Sequence, residues 1–284
     1  MRHRKERTLK QAVEYSGIGV HTGRGATVCF CPKESGGIVF RRTDLPEKPE
    51  ISACLANVCD TNRSTTIGKG NIRIHTVEHL LAALKGFRID HLLIEISSIE
   101  PPIGDGSAAP FVKMIEEAGI QELESTSPIF SLNQPVYWSD EECHLVALPS
   151  DCHKISYTLS YPDSGPLEAQ FSSLEITEES FKNELAKART FSRYEEVSAL
   201  IDRGLIKGGS LENSIVVKDG VVLSQGGLRF PNEMARHKAL DLIGDVSLVG
   251  VDFTAHIIAI RSGHTANIAF ANVLSQNLYQ EVLS

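Results

Sequence analysis

No Cys-x-x-Cys pair, no dense basic run beyond Arg7 and no long apolar stretch occur in this chain of 284 residues. Each absence narrows the possibilities. The six cysteines, at positions 29, 31, 54, 59, 143 and 152, lack the spacing of a zinc ribbon or a dithiol motif and read as free thiols. Cys29 and Cys31 alternate along what reads as a single strand face. Acidic residues outnumber basic ones, 36 to 28, and the net charge of −8 argues against nucleic acid as the main partner. The basic start, Arg2 to Arg7, is not followed by the apolar stretch of a signal peptide, and nothing approaches the ~18 residues of a transmembrane helix. A soluble, cytoplasmic, monomeric protein with a small-molecule partner is the expectation.

Against an ordinary background of 42% apolar and 23% charged residues, two histidine segments stand out. The first is His75-Thr-Val-Glu-His79, running into Leu80-Leu-Ala-Ala-Leu84. The second is His237-Lys-Ala-Leu-Asp241, running into Leu242-Ile-Gly-Asp245. Both read as helices with C-terminal stops at Gly86 and Gly244. On a helix His237 and Asp241 are four residues apart and project from one face. Those two, with His79 from the other helix, make three ligands. Zinc held by three protein groups keeps its fourth position open, which is the catalytic arrangement. Glu78, beside His79, is a base for a water at that position. A purely structural zinc that staples two halves together would call for four protein ligands and no spare base. Asp241 interrupts an apolar run, and a metal partner offsets the burial of its charge.

The two segments belong to a longer repeat. Sliding His237 onto His79 also brings Leu242 onto Leu84 and Gly244 onto Gly86. After each helix comes an apolar strand, His91–Ile96 and Ala255–Ile260, then a glycine turn and a second helix, Ala108–Ala118 and Ala266–Leu274. Earlier strands echo likewise: Thr27–Pro32 with His144–Pro149, and Ile38–Arg41 with Ile155–Leu159. The expected fold is α+β: two similar domains from an internal duplication, residues 1–124 and 129–284, each a mostly antiparallel sheet packed on helices. The polar stretch Gln121–Pro128 is the expected linker. Facing units would place the site at the domain interface. The second half carries an elaboration between Pro162 and Arg236. It should hold helices over Glu178–Arg189 and Arg193–Asp202, then a hairpin, Ser214–Leu223, turned at Lys218-Asp-Gly220. Asp105 in Gly104-Asp-Gly106 reads as a turn and helix-cap residue.

Seven motifs give the chain a family likeness. Val77–Leu84, Asp105–Phe111, Ala188-Arg-Thr-Phe191, Gly208-Gly-Ser210, Gly227–Phe230, Arg236–Asp245 and Ser262-Gly-His264 occur in the order found in the UDP-3-O-acyl-N-acetylglucosamine deacetylases of lipid A biosynthesis, which the chain resembles over nearly its whole length. The opening Arg7–Lys10 and Gly17–Gly23 fit as well. The resemblance implies two α+β domains, each with an insert, and one catalytic zinc on His79, His237 and Asp241. It implies hydrolysis of the 2-acetamido group of an acylated UDP-sugar, with release of acetate. Glu78 falls on the family's base and His264 on its catalytic histidine. Thr190, Lys238 and Asp245 match positions that polarise the amide, bind substrate and orient that histidine. Phe191 and Ser210 match residues lining the substrate site, and His21 one near the diphosphate. The insert around 190–223 matches the one that holds the fatty chain. Its apolar residues Phe191, Val197, Leu200, Ile201, Leu205, Ile206, Ile215 and Val216 are the expected passage. One departure concerns the loop Asp60–Thr66. Asn62 and Arg63 replace an apolar pair there, and Ser64 stands where related sequences often carry cysteine.

A rival reading takes His75-x-x-Glu-His79 as an inverted zinc-peptidase motif in which both histidines bind metal. It needs helical geometry through His75 and leaves the His237 and His264 segments unexplained. His3, His91, His144, His153 and His256 read as strand or surface residues.

Overall fold

A computed structural model describes residues 2–162, 165–197 and 206–283. The N-terminal half begins with β1 (Arg2–Leu9), β2 (Val13–Ile18), β3 (Gly25–Pro32), β4 (Ile38–Arg42) and β5 (Glu50–Ser52). A small sheet of β6 (Val58–Asp60), β7 (Thr66–Lys69) and β8 (Ile72–Ile74) precedes helix α1 (Glu78–Gly86), then β9 (Leu92–Ile96) and α2 (Ala109–Ala118). Strand β10 (Ile120–Ser131) crosses into the second half, which continues with β11 (Val136–Asp140), β12 (Cys143–Leu148), β13 (Lys154–Leu159) and β14 (Gln170–Glu175). A second small sheet, β15 (Phe191–Arg193), β16 (Ile215–Lys218) and β17 (Val221–Leu223), precedes α3 (Glu233–Ser247). Strands β18 (Asp252–Thr254) and β19 (His256–Ile260) and helix α4 (His264–Leu283) complete the chain.

The fold is α+β, and its two five-stranded sheets have one topology. Their orders are β2-β3-β9-β4-β5 and β11-β12-β19-β13-β14. In each, the strand after the first helix pairs parallel with one neighbour, β9 with β4 and β19 with β13, while every other pairing is antiparallel. Period-two alternation sets which face is buried. Ala26, Val28 and Phe30 of β3 enter the core, leaving Cys29 and Cys31 half-buried on the other face. One continuous apolar cluster then runs from Phe30 and Phe40 through Leu80, Leu84 and Phe111 to Leu240, Ile257 and Phe270. The halves meet where α1 packs along α3, with α2 against α1 and α4 against α3.

Several expectations need correction. Gly86 does end α1, but α3 runs through Gly244 to Ser247. A Cβ on Gly244 would lie 2.1 Å from the Glu78 carbonyl oxygen, so this glycine permits close helix contact rather than a stop. Helix α1 begins at Glu78, not His75, because Thr76 is held at φ 55°, outside helical geometry. The expected linker is itself strand: β10 pairs antiparallel with β1 and parallel with β18, so backbone hydrogen bonds to both halves override its polar composition. Both proposed domain boundaries, 124 and 129, therefore fall within one strand. Arg4 reinforces this ribbon by pairing with Asp90 (2.6 Å) and Asp252, and Lys85 of α1 also pairs with Asp252.

In the elaboration, the expected helix over Glu178–Arg189 shortens to one turn, Glu178–Ser180, and a wide turn, Phe181–Leu185. Phe181 packs where any Cβ on Gly86 would collide, which anchors that short piece. Arg193 lies in β15, a helical turn follows over 194–197, and the rest of the second expected helix lies outside the described residues. The hairpin matches expectation, with Asp219 and Gly220 at φ 49° and 74° in its turn. Helix α4 starts at His264 and extends past Leu274.

Candidate active site

The α1–α3 contact brings the first turn of α1 against the middle of α3. The His79 and His237 rings meet edge to face, with centroids 4.9 Å apart. Asp241, one turn beyond His237 on α3, points its Oδ1 at both imidazoles, 3.5 Å from His79 Nε2 and 3.3 Å from His237 Nε2. His237 Nδ1–H donates to the Ala188 carbonyl (3.0 Å), which leaves Nε2 as the lone-pair nitrogen. Burial pushes the His237 pKa down to about 4 despite Asp241, so the ring is neutral at pH 7. Asp241 Oδ1 is buried and has no hydrogen-bond partner. Its other oxygen accepts from Lys238 Nζ at 2.9 Å. Burial opposes ionisation of Asp241, but His237 and the Lys238 ammonium hold its pKa well below the usual carboxylate range. The Nε2 lone pair of His237, a ring nitrogen of His79 and a carboxylate oxygen of Asp241 lie within 4.8 Å of one another, a donor set that a cation would complete. Two nitrogens and one oxygen suit zinc with an open position. Among the described residues this is the one group of metal-ligating side chains so arranged. His75 is not part of this group; its Nδ1 is hydrogen-bonded to Thr66 Oγ1 at 2.8 Å.

Two titratable groups flank the triad. Glu78 Oε2 accepts from the Thr65 backbone N–H (3.0 Å), while Oε1 lies 3.8 Å from His264 Nε2. Burial raises the Glu78 pKa, with Asp245 and Asp241 adding to it against the pull of His264 and His79. His264, at the start of α4, donates from Nδ1 to Asp245 Oδ2 at 2.9 Å. Asp245 also accepts from Asn267 Nδ2 (2.9 Å) and from the Thr65 hydroxyl. Burial disfavours charge on His264, yet Asp245 and then Glu78 outweigh it and lift its pKa to about 9. The ring is therefore cationic at neutral pH, with Nε2–H facing Glu78 and Asp241 (3.9 Å). A base whose pKa is raised and a cationic acid across a metal-fit triad are the parts of a hydrolytic site.

A cavity of ≈ 980 Å³ opens over these groups. Its lining includes His21, Glu78, His79, Thr190, Phe191, Ile206, Ser210, Val216, His237, Lys238, Asp241 and His264. Asp245 is the exception among the expected site residues: it sits fully buried behind His264. Phe191 lies edge-on to the His237 ring, at 6.4 Å between centroids. Val197 also lines the cavity, whereas Ile215 turns into the core, and Leu200, Ile201 and Leu205 lie outside the described residues. Arg63 of the divergent loop pairs with Glu196 of the second insert across the cavity. Thr65 and Asn267 are missed by sequence reasoning. For Asn267 a signal exists, three residues after His264 on one helix face. For Thr65 none does, since its partners are remote in sequence. Asp105 is a turn residue as expected, its Oδ1 accepting from the Ser107 backbone and hydroxyl and its Oδ2 from Arg229, but it does not cap α2, whose Ala109 N–H donates to Ser107 Oγ instead.

A model of the UDP-3-O-acyl N-acetylglycosamine deacetylase family matches residues 6–276. Proteins named UDP-3-O-acyl-N-acetylglucosamine deacetylase from Chlamydia felis and Chlamydia trachomatis are each 50% identical over 279 residues, covering 98% of this chain and 99% and 97% of theirs. One from Chlamydia pneumoniae is 48% identical over 280 residues, covering 98% and 99%.

Proposed function

We infer the function from one premise: the chain belongs to the UDP-3-O-acyl N-acetylglycosamine deacetylase family. It is an amide-hydrolysing enzyme. We propose that it removes the 2-acetamido acetyl group of UDP-3-O-acyl-N-acetylglucosamine, that it depends on zinc, and that it acts in the cytoplasm on the route to lipid A. The observation that carries the zinc reading is the convergence of His79, His237 and the unpaired Asp241 Oδ1. Among the described residues no helix is long and apolar enough to cross a membrane.

His79, His237 and Asp241 would hold zinc, which would supply Lewis-acid chemistry for a water and for the amide carbonyl. Glu78, held by the Thr65 N–H, takes the proton of the attacking water at Oε1. His264 presents a cationic Nε2–H to the developing negative charge, and Thr190 lines the same space. The leaving amine then takes a proton from His264 Nε2 or from Glu78. Asp245 acts through His264: it accepts from Nδ1–H and stabilises the imidazolium, so that Nε2 carries a proton as well. Lys238 neutralises Asp241 and lines the substrate cavity. His21 serves the diphosphate end, Ser210 lines the substrate site, and Phe191, Ile206 and Val216 border the acyl passage. The repeated sheet order supports descent of the two halves from one duplicated unit.

Acetate release from UDP-3-O-acyl-N-acetylglucosamine, measured against the non-acylated sugar nucleotide and a peptide, tests the activity. Rapid release from the acylated substrate alone is expected, and turnover of the peptide instead would restore the inverted-peptidase reading. His79→Ala, His237→Ala and Asp241→Ala should each lose bound zinc, while His75→Ala keeps it near one per chain.

A further inference from the structure

The base and the acid of the site come from opposite halves of the chain. Glu78 opens α1 and His264 opens α4, with Glu78 Oε1 3.8 Å from His264 Nε2. Thr65, just before β7, is bonded to the supports of both. It is 0% exposed and does not line the cavity, and all three of its polar groups are engaged. Its backbone N–H donates to Glu78 Oε2 (3.0 Å) and its carbonyl accepts from the Val77 N–H (3.3 Å), so the start of α1 hangs on the Thr65 backbone. Its hydroxyl donates to Asp245 Oδ1 on α3, and Asp245 Oδ2 accepts from His264 Nδ1 at 2.9 Å. An unbroken path of hydrogen bonds thus joins base to acid through Thr65 and Asp245.

The surrounding loop is an independent observation. Thr61, Arg63 and Thr65, every second residue between β6 and β7, all meet the second half. Thr61 Oγ1 lies 2.8 Å from Oγ1 of Thr265, the neighbour of His264, and Arg63 pairs with Glu196. The loop is a strap laid from the first half across the surroundings of His264. Asp245 is fully buried, so its carboxylate is closed off from bulk water and its orientation is set by its donors. Asn267 Nδ2 and His264 Nδ1 share Oδ2, both at 2.9 Å, while Oδ1 takes the Thr65 hydroxyl. Of these three donors, only Thr65 belongs to the half that carries Glu78.

We propose that Thr65 is a positioning residue for the hydrolysis: its hydroxyl, acting through the Asp245 carboxylate, fixes where His264 stands relative to Glu78. This rests on the deacetylase reading above, in which those two groups hold and move the proton. Packing of α1 on α3 brings the halves together but leaves the Asp245 carboxylate free to turn about its last side-chain bond. The Thr65 hydroxyl removes that freedom, since a turned carboxylate would leave Oδ1 buried without its donor. A displacement of ~1 Å between reacting groups can cost ~10²-fold in rate, so the effect belongs in the chemical step rather than in substrate binding.

Steady-state kinetics on the acylated UDP-N-acetylglucosamine, with zinc content and Tm measured alongside, tests the assignment. Every variant but proline keeps the backbone N–H to Glu78, so substitution isolates the hydroxyl. Thr65→Val keeps shape and β-branching, and its kcat should fall ~10–100-fold with KM and zinc content near wild type. Thr65→Ser should stay within a few-fold of wild type. Thr65→Ala should show the valine loss, covering the case in which valine misfolds beside the buried carboxylate. In an Asp245→Ala background, where the carboxylate is gone, Thr65→Val should lower kcat little further, because residues that act through one another are not additive. Wild-type kcat in the valine or alanine variant overturns the proposal. So does a serine variant as impaired as valine, a loss confined to KM, loss of zinc, or full additivity with Asp245→Ala. An inactive wild type would instead remove the deacetylase reading.

Discussion

At the scale of single residues, the site sorts its ionisable groups by neighbours more than by identity. His237 and His264 are both buried imidazoles, yet one is held neutral and the other cationic. The difference is that Asp245 bonds His264 Nδ1, whereas a backbone carbonyl bonds His237 Nδ1. The base is Glu78, whose pKa burial raises, and the acid is His264, whose pKa Asp245 lifts to about 9. Activity should therefore rise with pH as Glu78 deprotonates and fall again as His264 loses its proton well above the ordinary ~6.5. In Asp245→Asn the anion that sustains the charge is gone, so the basic limb of the kcat profile should move to lower pH. The maximal rate should drop by ~10²-fold, within the usual range for one acid–base group. An unmoved basic limb would take His264 out of that role.

At the scale of elements, the site depends on how closely α1 and α3 approach. Gly244→Ala would press a methyl group into the Glu78 backbone, and neither helix can retreat without moving His79 or Asp241. The variant should lose ~1–3 kcal/mol of stability, the usual effect of overpacking, together with most of its activity. Denaturant unfolding alongside turnover would check both. A second element-level device anchors the segment before β15. Arg189 and Glu233, 2% and 0% exposed, form an ion pair at 2.8 Å. Arg189 also donates to the Gln225 and Gly227 carbonyls. The pair flanks Ala188, whose carbonyl orients His237, and Glu233 lies one turn before His237 on α3. Glu233→Gln should therefore weaken zinc affinity ~10–100-fold, the range for lost outer-shell support, in chelator competition. Unchanged affinity with only a lower Tm would reduce the pair to a packing role.

At the scale of the whole molecule, β10 and its charges lace the halves together. Asp252 accepts from Arg4 of β1 and Lys85 of α1, and although burial opposes its ionisation, these cations hold its pKa well below the usual range. Its folded pKa lies below its unfolded one, so its contribution is complete above ~4 and is lost as pH falls further. His153, half-buried near Lys85 with its Nδ1 shielded from solvent, adds to this: loss of hydration pushes its pKa down to about 4. The unfolded chain takes up that proton near ~6.5 while the folded one refuses it, so stability also declines between ~6.5 and about 4. Tm followed from pH 7 to pH 3 should fall in both windows. Asp252→Asn should start ~3 kcal/mol less stable, the usual loss on breaking a buried pair, and show a flatter slope below ~4. An unchanged slope would show that the network does not titrate as described.

What the sequence by itself determined is whatever depends on local period. His237 and Asp241 share a helix face because they are four apart, and the alternation in β3, β9 and β19 sets which side is buried. The hairpin at Asp219-Gly220 is likewise a matter of adjacent residues and positive φ. Motif order pointed to His264, Thr190 and Lys238, but nothing local says that they face one cavity. Tertiary structure decided what rests on residues far apart in the chain. Gly244 reads as a helix stop until Glu78 is seen against it, and Gln121–Pro128 reads as a linker until β1 and β18 take up its hydrogen bonds. The Thr65 N–H holds Glu78 and Arg63 meets Glu196, both through contacts between remote segments. Period and propensity act over a few residues, whereas burial, pairing and pKa are set by whatever the fold brings alongside.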